Sequence, residues 1–511
     1  MTDRVDTGAR GVVAAGHPAT AAAGAQVLRD GGNAVDAAVA AVLTSFVAEP
    51  LLTGLGAGGY LLAVPPGGEP VLLDFFVEVP GRAGDPVDRA PLRAVTVDFG
   101  DAEQVFHAGA PSCGTYGTPA GLAAAAAEFG RAPLHALTAP AARLARAGVR
   151  VTPMQAYLYA LLAGINALTP AGRARYLPGG APPRAGDLVR DPELADALDR
   201  FGAEGPAPFY TGDVAAAVVA EVRSHGGLLG AADLAAYEVV RREPHRVAFR
   251  DTTVSTNPPP AAGGVLLGRA LAALGAGSGP PDAPALVAAM AAAERDRTPE
   301  FLAGLSDPGP TAAACATANR LGSTTHVSVL DADGWACAVT SSNGEGSGVV
   351  VPGTGVHLNN VLGEEDLSPL GFHTQPPGTR MPSMMAPTVV ADARSGRPRL
   401  VVGSAGSNRI RSTLLQAIVN VVDRGMTAQE AVDAPRLHYA PEGLYTEPGL
   451  PAAGVRAAAA AAGLPVRPFR ERNLSFGGCQ AVARDPLTGA LSGGADPRRG
   501  GGVAVARGPA G

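Results

Sequence analysis

The chain has 511 residues, of which 46% are hydrophobic and 17% charged, and it contains no lysine. Its formal net charge of −6 at pH 7 provides no basic footprint, so neither a nucleic acid nor a membrane is expected as a partner. Without lysine the chain cannot use a Schiff base, a Walker-type phosphate loop or a Ser-x-x-Lys acyl enzyme.

Cysteine and histidine give no sign of a metal site. The four cysteines are scattered without a C-x-x-C pair, and the nine histidines show no H-E-x-x-H spacing. We therefore expect no metal and no cofactor. The first residues have no apolar core of signal-peptide length, and no stretch approaches the roughly 18 apolar residues that span a bilayer. These features predict a cytoplasmic protein.

The first half of the chain alternates predicted strands and helices. A strand and turn at GVVAAGHP precede two helices, which we expect to break at Gly31-Gly32, with Asn33 capping the second. The apolar runs GLGAGGYLLAV and EPVLLDFFVEVP predict a pair of strands. Alanine-rich helix is predicted over residues 119–163, more helix over 191–234, and a hairpin at HRVAFRDTTVSTNPPP.

The pattern weakens between residues 275 and 321, where one helix is predicted at 285–296. Two β-branched runs then flank the turn signal DADG, so THVSVLDADGWACAVT is predicted to form a hairpin. Strands are predicted at GVVVPGTGVHLNN and RLVVGSAG, followed by a helix ended by Gly425. This order of elements favours layers of sheet and helix over one core.

Two glycine-rich segments match known motifs in the wrong context. GLGAGGY fits G-x-G-x-x-G, yet a helix precedes it and a strand follows, the reverse of a dinucleotide site. A glycine turn that lets backbone segments approach closely explains it better. GSAGS, at residues 403–407, departs from the G-x-S-x-G elbow of hydrolases. A nest of backbone N–H groups at a strand-to-helix turn explains that segment better.

The segment STTHVSVLDADGWACAVTSSNGEGSGVVVPGTGVHLNN resembles the γ-glutamyltranspeptidase family, whose pattern is T-T-H-x-S-V, a hairpin, G-x-G and L-N-N. Further motifs, from GVVAAGHP to GGADPRRGG, extend the resemblance over nearly the whole chain. It implies an α/β (α+β) fold, the αββα four-layer sandwich of N-terminal-nucleophile (Ntn) hydrolases. It also implies self-cleavage between Ser323 and Thr324, giving a large-subunit segment, 1–323, and a small-subunit segment, 324–511, intertwined in one domain.

The resemblance implies that Thr324 is the nucleophile. Cleavage before this residue would free its α-amine, which can then act as the base for its hydroxyl. Such an amine has a pKa of roughly 7.7–8.0, so on the order of a tenth of it is unprotonated at neutral pH. By resemblance, the backbone N–H groups of Gly406 and Ser407 form the oxyanion hole. Thr325 is matched to a supporting threonine, and an ordinary strand residue is an equal alternative for it.

The other site residues also follow from the resemblance. TSSNGEG is shorter than the family segment, so Ser342, or else Ser341, is matched to the residue that orients the nucleophile. Asn343 is matched to a substrate-binding residue. Asp366 is the first choice, and Glu365 the second, for the acid that binds the substrate amine. Each is equally consistent with a solvated loop residue.

Departures from the family pattern change the expected substrate. The family strand D-F-R-E-x-A-P carries an arginine that clamps the substrate α-carboxylate, whereas DFFVEVP has Phe76 and Val77 there. Ser383-Met384 replaces the family's Ser-Ser pair, and Gly406-Ser407 replaces the glycine pair of its oxyanion loop. Val361 follows L-N-N, where the family often has Gln or Glu. A serine keeps its backbone N–H in place only if the position does not need a positive φ. Together these changes shift the acyl pocket from ionic toward apolar.

Two classes of function stay open. The first is a self-processing γ-glutamyltransferase- or glutathione hydrolase-like enzyme for a small amide or peptide, whose two fragments stay associated. Because the clamp arginine is missing, an amidase or acylase for a different acyl group is the alternative within this class. The second class is an unprocessed scaffold without catalysis, against which the retained STTH and GSAG segments argue.

Overall fold

The computed structural model describes residues 8–84, 88–98, 103–277, 279–298, 301, 305, 324–368 and 370–508. Its strands are β1 (Ala9–Ala15), β2 (Gly58–Val64), β3 (Val71–Phe75), β4 (Arg93–Asp98), β5 (Glu103–Ala108), β6 (Val149–Arg150), β7 (Leu188–Val189), β8 (Val240–Arg242), β9 (His245–Phe249), β10 (Thr252–Thr256), β11 (Thr325–Asp331), β12 (Ala336–Ser342), β13 (Val350–Val351), β14 (Val356–His357), β15 (Thr388–Asp392), β16 (Pro398–Ala405), β17 (Leu437–Ala440), β18 (Gly443–Thr446), β19 (Val466–Pro468), β20 (Gly478–Arg484), β21 (Leu491–Ala495) and β22 (Gly502–Arg507).

The α-helices of the described residues are α1 (Pro18–Arg29), α2 (Ala34–Ala48), α3 (Thr118–Phe129), α4 (Leu134–Ala147), α5 (Pro153–Leu161), α6 (Ala163–Asn166), α7 (Pro170–Tyr176), α8 (Pro192–Glu204), α9 (Ala207–Tyr210), α10 (Asp213–Ser224), α11 (Ala231–Ala235), α12 (Ala262–Gly275), α13 (Ala283–Arg295), α14 (Arg409–Val422), α15 (Ala428–Asp433) and α16 (Ala452–Ala462). Short 3₁₀ turns lie at Ala110–Ser112, Pro178–Gly180, Val361–Gly363, Glu365–Leu367, Leu474–Phe476 and Pro497–Arg499.

Two antiparallel sheets face each other at the centre of the molecule. Their strand orders are β22-β1-β11-β12-β2-β3-β8 and β21-β20-β16-β15-β10-β9. Strand β11 contacts β16 and β20 across the interface between them. Helices α1 and α2 pack on the first sheet, and α12, α14 and α15 pack on the second. The protein is therefore the αββα sandwich that the sequence predicts.

Helix α2 is buried along its whole length, so its first turn needs hydrogen-bond partners within the protein. Asn33 supplies them: its Oδ1 accepts from the N–H groups of Val35 at 2.9 Å and Asp36 at 3.0 Å. The Asp36 carboxylate in turn accepts from the backbone N–H of Asn33 at 2.9 Å. This reciprocal capping box confirms both the predicted cap and the break between α1 and α2.

The predicted hairpin is formed by β11 and β12, which pair from Thr325 opposite Ser341 to Leu330 opposite Ala336. Strand β11 lies inside the sheet, between β1 and β12. At the turn, the carboxylate of Asp331 accepts a hydrogen bond of 2.9 Å from Trp335 N–H. The hairpin therefore fixes Thr324 at the entrance of a central strand.

The GLGAGGY segment joins α2 to β2 and brings backbone segments close together, as predicted. A Cβ on Gly56 would lie 2.3 Å from the carbonyl oxygen of His357, and one on Gly59 would lie 2.3 Å from that of Thr340. Any side chain at either glycine would push these segments apart.

Other predicted elements differ in their bounds. The alanine-rich region is interrupted by β6 after Gly148, whose φ is 95°. Helix α14 ends at Val422, before Gly425 with its φ of 65°. Most of residues 299–323, including Cys315 and Ser323, lies outside the described residues. Within the described ranges, no helix combines the length and apolar character needed to cross a bilayer.

Candidate active site

Thr324 lies directly before β11, and only 6% of it is exposed. Its hydroxyl donates to Ser342 Oγ at 3.2 Å, and Ser342 Oγ also accepts from Gly344 N–H at 3.0 Å. The neighbouring Ser341 instead shares a hydrogen bond of 2.7 Å with Thr53. Successive residues of a strand point to opposite faces, which separates the two serines. Of the two candidates, Ser342 is therefore the one that contacts Thr324.

Thr324 and Ser342 form part of the wall of a recess with about 370 Å³ of space free of protein atoms, partly open to solvent. We call it the Ser407 recess; its lining residues are Phe76, Thr324, Ser342, Gly344, Glu364, Leu367, Ser383, Met384, Met385, Ser407 and Ile410. Aromatic, thioether and aliphatic side chains make up about half of this set. No arginine or histidine belongs to this described lining, and its acid is Glu364, so the recess offers no cation to a carboxylate beside the Thr324 hydroxyl.

Phe76 is the residue that the sequence resemblance matches to the clamp arginine. Its ring stacks on Tyr60 at a centroid distance of 5.4 Å, and 2% of the residue is exposed. Its carbonyl accepts hydrogen bonds from the Tyr237 hydroxyl, at 2.8 Å, and from the Arg380 guanidinium. Arg380 also pairs with Glu78 at 3.0 Å. The Arg380 guanidinium therefore binds the Phe76 carbonyl and Glu78, and Arg380 is not part of the described lining of the Ser407 recess.

Gly406 and Ser407 form the turn between β16 and α14, as the sequence predicts for the GSAGS segment. Their φ angles are 116° and 46°, so both residues have a positive φ. Their carbonyls accept from the N–H groups of Arg409 at 3.0 Å and Ile410 at 3.1 Å. In the described part of the chain, neither N–H of this pair donates to a backbone acceptor. Ser407 lines the Ser407 recess, whereas Gly406 is not among the described residues of its lining.

The two candidate acids occupy different surroundings. Asp366 is 7% exposed, and its Oδ2 accepts from Ser407 Oγ at 2.9 Å and from Asn408 Nδ2 at 3.0 Å. Glu365 faces His107, with 3.5 Å between Oε1 and Nδ1. Neither acid lines the Ser407 recess, whereas their neighbour Glu364 does.

Of the remaining residues predicted to bind substrate, two line the Ser407 recess and one does not. Ser383 and Met384 both line the Ser407 recess, and Ser383 Oγ accepts from Met385 N–H at 3.0 Å. Asn343 does not line it: its Nδ2 donates to His357 O at 3.3 Å, and its backbone N–H donates to Leu52 O at 3.0 Å. The structure therefore brings Ser383 and Met384 to Thr324 and holds Asn343 within its loop.

Thr325 faces a second recess, with about 360 Å³ free of protein atoms, which we call the Glu49 recess. The Thr325 hydroxyl donates to Glu49 Oε2 at 2.8 Å, and Thr20 donates to Oε1 at 3.1 Å. Burial raises the pKa of Glu49 to about 7, although both hydrogen bonds and the Arg499 charge oppose the rise. Sequence reasoning missed Glu49 and Arg499. A carboxylate directly after an unbroken apolar helix was the available signal.

His326 also lines the Glu49 recess, but its surroundings suit a neutral structural residue. Its ring nitrogens lie 2.7 Å from Thr340 Oγ1 and 2.9 Å from Ser328 Oγ. Burial lowers the pKa of His326 to about 3, which makes the imidazole a weak base. Within the described residues, no group of three or more His, Cys, Asp or Glu side chains is arranged to hold a metal ion.

The chain is similar to known proteins over most of its length. The family described as Gamma-glutamyltranspeptidase matches residues 20–297 and 284–506. The chain is 34% identical to Acylase ACY 1 proenzyme of Pseudomonas sp. (strain SE83), over 95% of this chain and 92% of that protein. It is 30% identical to the Glutathione hydrolase proenzyme of Escherichia coli (strain K12), over 86% and 83%. The crystal structure of cephalosporin acylase from Bacillus halodurans superposes with a TM-score of 0.81 and 27% identity, over 97% and 96%.

Proposed function

The chain belongs to the γ-glutamyltranspeptidase family of Ntn hydrolases, and on that premise we propose that it cuts itself before Thr324 and then cleaves an amide with an uncharged acyl side chain. The two resulting segments, 1–323 and 324–511, would stay together as one domain. The observation that carries the choice of substrate is Phe76, which lines the Ser407 recess where the family has a carboxylate-binding arginine.

The nucleophile would be the Thr324 hydroxyl, with the newly freed α-amine as its base. An α-amine titrates about 2–3 pH units below a lysine, so part of it is unprotonated at neutral pH. The 3.2 Å contact with Ser342 supports a fixed orientation of the attacking oxygen. Attack on the substrate carbonyl would give an ester to Thr324 and release the amine, and water or a second amine would then take the acyl group.

Negative charge on the carbonyl oxygen would be stabilised by the N–H groups of Gly406 and Ser407. Both directly precede Asn408, the N-cap of the 14-residue helix α14, and the dipole of that helix favours an anion near its N-terminus. Removing one such donor typically slows acyl transfer by about 100- to 1,000-fold. This arrangement requires that Ser407 keep its positive φ.

The acyl side chain would lie against Phe76, Met384 and Leu367. An α-carboxylate placed there would lose its hydration without gaining a cation, which opposes binding. The acylase relatives support this interpretation, because an acylase removes an acyl group. Recognition of a γ-glutamyl group stays the alternative, supported by the glutathione hydrolase relative.

Four matched p-nitroanilides test the proposal. The γ-glutamyl, 4-aminobutyryl, glutaryl and butyryl compounds differ only in the presence of the α-carboxylate and the α-amine. We expect removal of the carboxylate to raise kcat/KM, both from γ-glutamyl to 4-aminobutyryl and from glutaryl to butyryl. A clear preference for the γ-glutamyl compound would overturn the proposed specificity and favour a glutathione hydrolase.

Intact mass and a denaturing gel test the self-cleavage separately. The wild type should give two fragments that divide the chain before Thr324, and Thr324→Ala should give one full-length chain. A wild type that stays full-length after long incubation and turns over none of the four amides would instead indicate a non-catalytic scaffold.

A further inference from the structure

Ser407 holds a backbone conformation that serine rarely adopts. Its φ of 46° lies in the left-handed region, directly after Gly406 with a φ of 116°. A side chain destabilises this conformation, because Cβ then crowds the neighbouring backbone oxygen. From the sequence, a serine is expected to replace the family's glycine at position 407 only if this position does not require a positive φ. The structure shows that the positive φ is retained, so another interaction must hold it.

Asp366 provides that interaction from a separate segment of the chain. It lies in the 3₁₀ turn Glu365–Leu367, and one oxygen, Oδ2, accepts from both Ser407 Oγ and Asn408 Nδ2. Hydrogen bonds to a carboxylate are stronger than those between neutral groups. The 7% exposure of both Asp366 and Asn408 limits competition from water. The two bonds thus fix consecutive residues of the turn, one of them the strained serine.

From this geometry we infer that Asp366 is a positioning residue for the oxyanion loop, holding Ser407 in its left-handed conformation through the serine hydroxyl. The inference rests on the proposed function, in which the N–H of Ser407 stabilises the oxyanion. It replaces the substrate-amine role that the sequence suggested for Asp366. The acid that lines the Ser407 recess is Glu364, not Asp366.

Serine and aspartate therefore depend on each other. A glycine at 407 would adopt the positive φ without help, whereas a serine needs the carboxylate to hold it. The dependence predicts that the effects of substitutions at 366 and 407 will not add, because both act on one backbone conformation.

The test compares Asp366→Ala, Asp366→Asn, Ser407→Gly and the double variant Asp366→Ala/Ser407→Gly. Asp366→Ala should lower kcat by roughly 10- to 100-fold, less than outright loss of an oxyanion donor. Asp366→Asn should recover about tenfold of that loss, since its amide oxygen can still accept both hydrogen bonds although it carries no charge. In the Ser407→Gly background, Asp366→Ala should cost no more than about twofold.

The substrate series separates positioning from amine binding. The loss in Asp366→Ala should be the same for the butyryl and 4-aminobutyryl amides, and it should fall on kcat. A loss confined to the 4-aminobutyryl amide and expressed in KM would overturn the inference. So would an Asp366→Asn variant as impaired as Asp366→Ala, or additive effects in the double variant.

A stability measurement keeps the inference distinct from the proposed function. If wild type cleaves none of the amides, the proposed function fails, and the same variants are then compared by their thermal unfolding midpoints. Asp366→Ala should lower the midpoint, Asp366→Asn should lower it less, and Ser407→Gly should remove most of the difference. An unchanged midpoint in Asp366→Ala would overturn the positioning role.

Discussion

The hydroxyl of Thr325 donates a hydrogen bond of 2.8 Å to the buried carboxyl of Glu49. It joins the start of a central strand, one residue after Thr324, to the end of α2. The charge of Arg499 acts on this carboxyl, and Arg499 itself interacts with Asp496 and Glu345 as well as with Glu49. The contact links the protonation of Glu49 to the backbone one residue after Thr324.

Glu49 should reduce stability as the pH rises. Its pKa is about 7 in the folded protein, against 4.5 for an ordinary glutamate, so the folded state binds the proton more tightly. The stabilisation is complete below about pH 4.5, is lost progressively up to about pH 7, and amounts to roughly 3 kcal/mol. Urea unfolding between pH 4.5 and 8 should show this loss in Thr324→Ala, which keeps the chain in one piece.

The control for this prediction is Glu49→Gln in the same Thr324→Ala background, because glutamine keeps a hydrogen-bond acceptor and cannot titrate. Buried histidines such as His326 also change stability in this pH range, and the comparison cancels them. The wild-type glutamate should lose stability relative to glutamine as the pH rises. A difference that is flat with pH would contradict a raised pKa.

The two neighbouring serines of β12 should differ in their effects. Ser342→Ala removes the acceptor 3.2 Å from the Thr324 hydroxyl and should lower kcat by roughly 3- to 10-fold. Ser341→Ala breaks the 2.7 Å bond to Thr53 and should cost about 1 kcal/mol of stability with a smaller effect on kcat. Steady-state kinetics and urea unfolding of the pair decide the point. Equal losses of kcat in the two variants would contradict a specific role of Ser342 in orienting the Thr324 hydroxyl.

Introducing a cation into the Ser407 recess should change the acyl preference. Phe76→Arg should raise the ratio of kcat/KM for the glutaryl over the butyryl amide by about 10-fold or more, because a charge-assisted hydrogen bond becomes possible. Phe76→Leu is the matched control: it loses the same stacking on Tyr60 but should leave that ratio close to the wild-type value. A ratio that moves equally in both variants would contradict the assignment of Phe76 to the acyl side of the site.

Arg380 should stabilise the strand end that carries Phe76. Arg380→Met leaves the buried Glu78 and the Phe76 carbonyl without this donor and should cost roughly 3 kcal/mol in urea unfolding. Arg146→Met, which breaks exposed pairs with Asp196 and Asp199, is the control and should lower the free energy of unfolding far less. Similar losses in the two variants would show that Arg380 contributes no more than a surface pair.

Local signals in the sequence predict the local parts of this fold. Asn33 and its neighbouring residues define the start of α2, and the DADG turn defines the β11–β12 hairpin, because capping and turn preferences act over a few residues. The family resemblance adds the αββα arrangement. Thr324, Ser342, Ser383, Met384 and Ser407 are brought together at one recess as expected.

The parts of the site that could not be predicted from the sequence depend on contacts between distant segments of the chain. Glu49 meets Thr325 across 276 residues, and Asp366 meets Ser407 across 41. No periodicity or short motif encodes such pairs, so Glu49 was missed and the contact between Asp366 and Ser407 was not predicted. The choice between Ser341 and Ser342 likewise needed the strand register, which decides the face on which each side chain lies.

The strand order β22-β1-β11-β12-β2 alternates pieces from either side of Thr324, with β1 inserted between β11 and β22. Once the bond before Thr324 is cut, neither piece can complete the first sheet alone. Refolding of the two forms would then differ. The uncut chain forms the β1–β11 pair within one molecule, whereas in the denatured cut protein β1 and β11 belong to two separate polypeptides that must first associate. Its refolding yield should fall on dilution, whereas that of Thr324→Ala should not. If the proposed cut occurs, the intact bond before Thr324 makes assembly of the first sheet independent of concentration, and the formed sheet no longer depends on that bond.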